Sequence, residues 1–515
     1  MALRRSRSKR AIAIAIYISV FVAFVLYIRT NSRLSSASRL LGTQSSAKVS
    51  NPVAGDDATC RASDARLVDL QKRYSLQTSF QYLRRAIHLT RNPSVQRSKL
   101  TKLSQPMLKK DFQLVQLQPR LENVVSSCDE PIEVHVSASD FPQTVNASEL
   151  IFGVSTTFER FSASAAVLIN DWSFWLTDGY RHPNGGKLVL MLLDASPAQL
   201  HQVKSTLSEA GIDADTYASD ASLPMSARNM ALIPTMYAHP EAGKKKWFVL
   251  CDDDTFFPNM HALMAVLAKH DETKGMYIGA LSEDSGATAK HGLQAFGGAG
   301  IFLSRATAKV VSNNFEECSS EDKIEQADQQ GDRLLRQCIE EHSGIELTPL
   351  HDLWQLDIFD DPSGFYEWGI KPLSLHHYRS WHQSRPGDLT KLAYICGEDC
   401  TLQRFQTVDN FVISGFSIAH YPSGIDFDTN QVERTFRSEN GTDDAFDDKM
   451  GHQRPSLSQT GKKIAWTLKE CVWQQDGSLL QTYVREANDT RWSDAHGKPM
   501  SKHDGIIELV WTTGR

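Results

Sequence analysis

The stretch "WFVLCDDDTFF", Trp247 to Phe257, runs from strand-forming apolar residues straight into three consecutive aspartates. A short continuous apolar run is the pattern of a strand buried on both faces of a parallel sheet. Carboxylates packed this closely repel one another, so Asp252, Asp253 and Asp254 need a reason. One option is capping of the helix that the sequence predicts from Asn259, because aspartate is a good N-cap; one aspartate suffices for that. The other is chemical. In an open α/β sheet, ligands gather at the carboxyl ends of the strands. Hard divalent cations prefer carboxylate oxygens, and a nucleotide diphosphate needs such a cation to offset its charge. On this option one aspartate reaches the metal, one the ribose or sugar, and one holds the following turn.

Outward from this stretch, the chain alternates. "ELIFGVSTTF" and "KLVLMLLDAS" read as buried strands. "ERFSASAAVLINDWSFWL", "PAQLHQVKSTLSEAGI", "SARNMALIPTMYAHPE" and "PNMHALMAVLAKHD" read as helices, with Pro197 suited to a first helical turn. This alternation predicts an α/β fold with a mostly parallel sheet flanked by helices. Past residue 385 the pieces "NFVISGFSIAHY", "KKIAWTLKECVW", "SLLQTYVREA" and "GIIELVW" predict a β-rich C-terminal lobe. Residues 64–90 show helix-compatible spacing of Leu67, Leu70, Tyr74, Phe80, Leu83 and Ile87, as a stem helix or an N-terminal subdomain. The predicted divisions are 1–10, 11–28, 29–145, 146–385 and 386–515.

Three further motifs can carry chemistry. In "FGGAGIFLSRATAKVV", Gly297, Gly298 and Gly300 let a backbone approach a ligand closely or take positive φ; a tight structural turn fits equally. In "QQGDRLLRQCIEEHSGIEL", Asp332 opens an apolar-periodic helix, as a cap or as a general base facing a hydroxyl. In "PLSLHHYRSWH", His376 and His377 follow a strand-like segment. On a strand they point to opposite faces, so one of them at most meets a metal.

The first 48 residues hold nine basic side chains and no acid, while the whole chain of 515 residues carries a net charge of −6. The remainder is therefore at −15, which gives no electrostatic case for nucleic-acid binding. Between the basic clusters lies "AIAIAIYISVFVAFVLYI", Ala11 to Ile28, 18 residues without a charge. As a helix it rises roughly 27 Å, close to the hydrocarbon thickness of a bilayer. No small-residue cleavage site follows it, so a signal anchor is expected rather than a cleaved leader. The basic flank before it favours a cytosolic N-terminus and a lumenal body. Sequons at Asn146, Asn440 and Asn488 all follow the span, and residues 29–59 read as a flexible stem.

Together, "WFVLCDDDTFF", "FGGAGIFLSRA", a "GD" helix with a cysteine, and "LSLHH", in that order, resemble the fringe-type glycosyltransferases of family 31. The phrases "IFGVSTTFERF", "DPSGFYEWGIKPLSLHHYRSWH" and "CGEDCTLQRF" are similar to the fungal branch of that family. The resemblance covers about Ser148 to Phe405. It implies a GT-A-like fold, Mn²⁺, a UDP-sugar donor (UDP-Gal, UDP-GlcNAc or UDP-Glc), a glycan or glycoprotein acceptor, and inversion at the anomeric carbon, with a β1,3-type linkage. It implies that Asp254 binds the metal with His376 or His377. It gives Asp252 and Asp253 to the donor, Asp332 to catalysis, and Gly297, Gly298 and Gly300 to the donor and acceptor pocket. A Golgi membrane location follows, single-pass and type II. The cysteines suit a lumenal enzyme: Cys318 with Cys338 beside Asp332, Cys396 with Cys400, Cys60 with Cys128, and Cys251 as a buried thiol. Two other classes remain open, a catalytically silent lumenal lectin or scaffold of the same fold, and a membrane-bound metal hydrolase with two cations.

Overall fold

The computed structural model describes residues 62–117 and 129–513. The expected anchor at Ala11–Ile28, the stem, Cys60 and Cys128 lie outside the described residues. Among the described residues no helix is long and apolar enough to cross a membrane.

The N-terminal segment departs from the helical expectation over 64–90. Helix α1 (Asp64–Arg73) is capped by the Ser63 hydroxyl, which accepts from the Arg66 amide. It stops just before Ser75, whose φ is 52°. Beyond it, Ser79–Asn92 is a 14-residue strand, β1. Phe80, Tyr82, Arg85, Ile87 and Leu89 are its buried residues, falling at the spacing of two that a strand requires on either side of Leu83–Arg84. Three shorter strands follow: β2 (Leu100–Lys102), β3 (Gln113–Gln116) and β4 (Ile132–Ser137).

The next strands build the sheet that carries the aspartates. They are β5 (Leu150–Thr157), β6 (Lys187–Leu193), β7 (Ala214–Ala218), β8 (Trp247–Leu250), β9 (Tyr277–Gly279), β10 (Ile301–Ser304) and β11 (Leu347–Pro349), in spatial order β11-β9-β10-β8-β5-β6-β7. Four of its six pairings are parallel, and only β10 runs antiparallel to its neighbours. All four side chains of β8 are buried, as its apolar run predicts. Helices α2 (Phe158–Leu176), α3 (Pro197–Glu209), α4 (Met260–Leu267), α5 (Arg305–Asn313) and α6 (Gly331–Ser343) pack around it. Thr157 caps α2, a Ser196–Gln199 capping box with Pro197 opens α3, and Ser304 caps α5. The expected helix over "SARNMALIPTMYAHPE" is two six-residue helices that meet at Ala231.

The β-rich lobe contains β12 (Arg404–Gln406), β13 (Phe411–Ile413), β14 (Ser417–His420), β15 (Ile464–Trp473), β16 (Leu479–Arg485) and β17 (Gly505–Thr513). These strands do not form a sheet alone. The order is β2-β12-β13-β14-β15-β16-β17-β1-β3, with β4 also on β1, ten strands in all. β1 lies parallel to β17, with Gln81 opposite Gly505. One hydrophobic core joins both sheets, from Ile87 and Val134 through Phe152 and Phe256 to Trp466 and Trp511. The disulfides Cys318–Cys338 and Cys396–Cys400 form as expected; Cys251 and Cys471 are buried thiols.

Candidate metal and donor site

The aspartate triplet sits where β8 ends, and it caps no helix. Helix α4 begins after Asn259, whose side chain instead donates to the Pro372 carbonyl at 2.7 Å. The triplet is a turn. The Asp252 amide donates to the Thr255 hydroxyl at 2.9 Å, and that hydroxyl donates to the Gly298 carbonyl at 2.9 Å. Phe256 and Leu375 then exchange two backbone hydrogen bonds of 2.8 Å. This single bridge lays His376 and His377 over the aspartates. The expected strand "PLSL" is reduced to that bridge.

His376 is buried with its ring fixed at both nitrogens. Nδ1 lies 3.1 Å from the Gln355 carbonyl oxygen, so it carries the proton and donates. Nε2 faces Asp252 Oδ2 and Asp254 Oδ1, each at 3.3 Å. Burial opposes charging this imidazole, but the hydrogen bonds and charges of Asp252 and Asp254 win and push its pKa up to about 10. Burial likewise disfavours the Asp254 carboxylate. His376, and the Ser380 hydroxyl donating at 2.9 Å, override it and hold Asp254 well below the usual carboxylate range.

His377 breaks the strand rule. Its φ is 51°, so its ring does not flip to the opposite face but lies 3.7 Å from that of His376. Its Nε2 is 3.3 Å from Asp357 Oδ1, and Trp381 stacks on it at 3.6 Å. Burial, with His376 repelling, lowers its pKa despite the Asp357 contact. Ligating atoms of Asp254, His376 and His377 fall within 4.8 Å of one another. The opposite-face arrangement expected of a strand therefore does not occur, and both rings border one cluster.

This donor set fits a divalent cation. A carboxylate and two imidazoles converge, with Asp252 alongside, and a proton on His376 now balances the two acids. The second nitrogen or neighbour of each imidazole is already engaged, His376 by a backbone carbonyl and His377 by a carboxylate, as ligating histidines require.

Asp332 is brought to the same place. Its Oδ2 accepts from the Gly297 amide at 2.8 Å. It lines an open pocket with Asp252, Gly297, Ser155, Asn229 and Leu250. Burial, reinforced by the Asp252 and Asp357 charges and opposed by the Gly297 amide, pushes its pKa up to about 7. Gly297 and Gly298 separate the two functional groups. A Cβ on Gly297 would stand 2.7 Å from Asp332 Oδ1, and one on Gly298 would stand 2.2 Å from the His376 ring. Gly300 takes φ 95° to turn the chain into β10.

Asp253 is the exception among the expected donor contacts. Its carboxylate is buried and fully occupied. Arg160 donates to both oxygens at 2.6 Å, Thr156 donates at 2.7 Å, and Arg379 donates at 3.2 Å. It ties α2 and the 376–382 segment to the triplet, and no oxygen is left for a ligand.

Several supporting residues carry no local sequence signal. Fully buried Glu283 accepts the amides of Gln355 and Leu356 at 2.8 and 2.7 Å and of Asp357 at 3.3 Å. This fixes the segment that supplies the Gln355 carbonyl to His376 and Asp357 to His377. Lys449, from the β-rich half, donates to Glu283 at 3.0 Å and to the Leu353 carbonyl at 2.8 Å, above the Trp354 ring. Long-range partners of this kind become visible only in three dimensions.

Residues 204–360 match the family model described as Fringe-like. Among curated proteins, none matches the sequence significantly. Solved structures with some likeness include mouse xyloside xylosyltransferase 1 in its apo form (13% identity, 39% of this chain and 84% of that one, TM-score 0.27). Others are the galactosyltransferase LgtC with donor and acceptor sugar analogues (14%, 46% and 83%, TM-score 0.28) and the mannosyltransferase PcManGT from Pyrobaculum calidifontis with GDP-Man and Mn²⁺ (11%, 35% and 53%, TM-score 0.22). At TM-scores this low, these likenesses carry no weight for the function of this chain. The family match spans β7 to β11, the Asp252–Asp254 turn, Gly297–Gly298 and Asp332, so the chain carries a Fringe-like domain over residues 204–360.

Proposed function

We propose that the protein is a metal-dependent, inverting glycosyltransferase of the hexosyltransferase class. It moves a hexose or N-acetylhexosamine from a UDP-sugar to a hydroxyl of a glycan or glycoprotein, in a β1,3-type linkage. We place it as a single-pass type II protein of the Golgi membrane, and the three sequon asparagines, all exposed, are compatible with a lumenal body. The observation that carries the function is the convergence of His376 Nε2 on Asp252 and Asp254, beside a pocket that Asp252 shares with Asp332.

Asp254, His376 and His377 would hold the cation, with Mn²⁺ suited to a mixed carboxylate and imidazole set. When bound, that cation supplies charge to offset the donor diphosphate. Asp252 stands between this centre and the pocket, where it can meet the donor. Asp332 accepts the proton of the acceptor hydroxyl as its oxygen forms the new bond to the anomeric carbon and the bond to UDP breaks. Its raised pKa makes it a stronger base than an ordinary carboxylate.

The test is UDP release and product formation by the full chain, with UDP-Gal, UDP-GlcNAc and UDP-Glc, with and without Mn²⁺. Metal-dependent turnover that Asp254→Ala abolishes is expected. UDP binding without turnover for any donor and acceptor would favour the silent lectin or scaffold. Hydrolysis of the donor alone, requiring two bound cations, would favour the hydrolase.

A further inference from the structure

Two polar side chains in the pocket between Asp252 and Asp332 have no role in the chemistry described above. They are Ser155 and Asn229, and they arrive from separate elements. Ser155 stands on β5, two positions beyond Gly153 and therefore on the same face. A Cβ on Gly153 would lie 2.9 Å from Met236 Cε and 3.2 Å from Leu232 Cβ. The helix Leu232–Tyr237 thus presses onto that face, and Ser155 borders the pocket beside it. Asn229 stands on the preceding helix, Met225–Met230. A Cβ on Gly331 would be 3.6 Å from Asn229 Cβ and 3.5 Å from the Ser226 backbone. This close approach holds Asn229 beside the first turn of α6, which carries Asp332.

The fold uses neither polar group. Both residues are half-buried. Among the described residues neither side chain has a hydrogen-bond partner, and neither belongs to the unpartnered groups sealed away from solvent. Their polar atoms therefore reach open space. The other polar walls are one-sided. An ionised carboxylate only accepts hydrogen bonds, so Asp252 offers no donor, and Asp332 acting as a base offers none. The Gly297 amide is already engaged by Asp332 Oδ2 at 2.8 Å, and the buried Cys251 thiol faces the Gly153 carbonyl. Met230, Leu232, Leu250, Ile301 and Leu335 are apolar. A sugar hydroxyl both donates and accepts. The two carboxylates can take its hydrogen, but only Asn229 and Ser155 among the lining side chains can donate to its oxygen.

We propose that Asn229, assisted by Ser155, reads one ring hydroxyl of the transferred sugar and so selects among UDP-sugars. This rests on the glycosyltransferase reading above. The ring in transit lies between the aspartate that meets the donor and the base that meets the acceptor, and these two side chains border that space. The Asn229 amide donates to the hydroxyl oxygen, and a carboxylate accepts the hydroxyl hydrogen. Being neutral, the amide donates without the positive charge that would weaken Asp332 as a base. A donor lacking that hydroxyl leaves the amide unpaired and is rejected.

The experiment is steady-state transfer by the full-length chain with Mn²⁺. It compares the UDP-sugar that wild type uses best with its deoxy analogues, one ring hydroxyl removed at a time. Wild type is expected to lose about tenfold in kcat/KM when the hydroxyl read by Asn229 is missing. Asn229→Ala should lose about the same factor on the parent donor and nothing further on that analogue, while the penalties at other positions persist. Its Tm and Mn²⁺ affinity should match wild type, which separates a substrate contact from a structural one. Ser155→Ala should reduce the same penalty in part. Asn229→Leu keeps the shape of the side chain without its polar atoms, and it decides if Asn229→Ala fails to fold. The inference is overturned if removing the amide leaves kcat/KM within about twofold of wild type, or leaves every deoxy penalty intact. In either case wild type still turns over, and the glycosyltransferase reading stands. A wild type that turns over none of the donors defeats that reading and this inference with it.

Discussion

Gly298→Ala tests the metal centre with one added methyl group. In the structure that Cβ would lie 2.2 Å from the His376 ring, whereas ordinary contact begins at 3.4 Å. The ring must therefore retreat by about 1.2 Å. It cannot do so in place, because it is buried and its Nδ1 is tied to the Gln355 carbonyl. Metal–ligand distances hold to within about 0.2 Å, so a 1.2 Å shift removes His376 as a ligand. The glycine φ is not in the left-handed region, so the effect is steric alone. We expect Mn²⁺ affinity, read by calorimetry in the presence of UDP, to fall by at least about 10–100-fold. Overpacking should cost about 1–3 kcal/mol of stability. Gly297→Ala is the control. Its Cβ meets Asp332 Oδ1 at 2.7 Å, the far end of a side chain that can turn aside. That variant should keep Mn²⁺ affinity and lose transfer. Mn²⁺ binding by Gly298→Ala within threefold of wild type would refute the placement of His376 in the metal shell.

Further outcomes follow from the same geometry. Asp332→Asn should retain UDP-sugar binding and lose transfer, since its Oδ1 can still accept from Gly297 but no base remains; normal transfer would remove Asp332 from catalysis. Because the folded state holds the Asp332 proton up to about pH 7 and an unfolded aspartate releases it near pH 3.8, this group weakens folding progressively as pH rises between those values. The Tm of Asp332→Asn relative to wild type should therefore climb from pH 4.5 to pH 8, and a flat difference would refute the burial of that carboxyl. Asp253→Asn breaks the pairs to Arg160 and Arg379, so Tm should drop while UDP affinity, once corrected for folded fraction, stays within threefold; a selective loss of UDP affinity would restore Asp253 to the donor site. Lys449→Met leaves buried Glu283 without its cation and should cost about 3–5 kcal/mol and at least about tenfold in Mn²⁺ affinity; adding Glu283→Gln should recover part of the stability but none of the metal affinity.

The aspartate turn, its parallel sheet and the glycine pair are legible in the sequence because each leaves a local mark: a buried apolar run, a charge cluster and consecutive glycines. The disulfide beside Asp332 is legible as well, from the placing of Cys318 and Cys338 around one helix. Period-two alternation misplaces His377 because it presumes a strand, and the positive φ there arises from a turn that only the Phe256–Leu375 bridge imposes. β1 mimics a helix because Leu67, Leu70 and Tyr74 set a helical spacing that Phe80, Leu83 and Ile87 happen to continue. Its partner β17 lies more than four hundred positions away, beyond the reach of any window. Asp253 is indistinguishable from its neighbours in sequence, since nothing local reveals which carboxylate Arg160 will take. Glu283 and Lys449 are anonymous for the same reason.

The parallel pairing of β1 with Gly505–Thr513 also sets a clock on biosynthesis. Gln81 and its register partner Gly505 are 424 positions apart. At about 5–20 residues per second, a ribosome needs roughly 20–85 seconds to deliver the second after the first. For that interval the next-to-last strand in the order of a ten-stranded sheet exists with one flank unmade, exposing Phe80, Tyr82, Ile87 and Leu89 as a sticky template. Folding of this half is therefore obligatorily late, and a nascent chain arrested before residue 505 is a substrate for chaperones rather than a shorter folded protein.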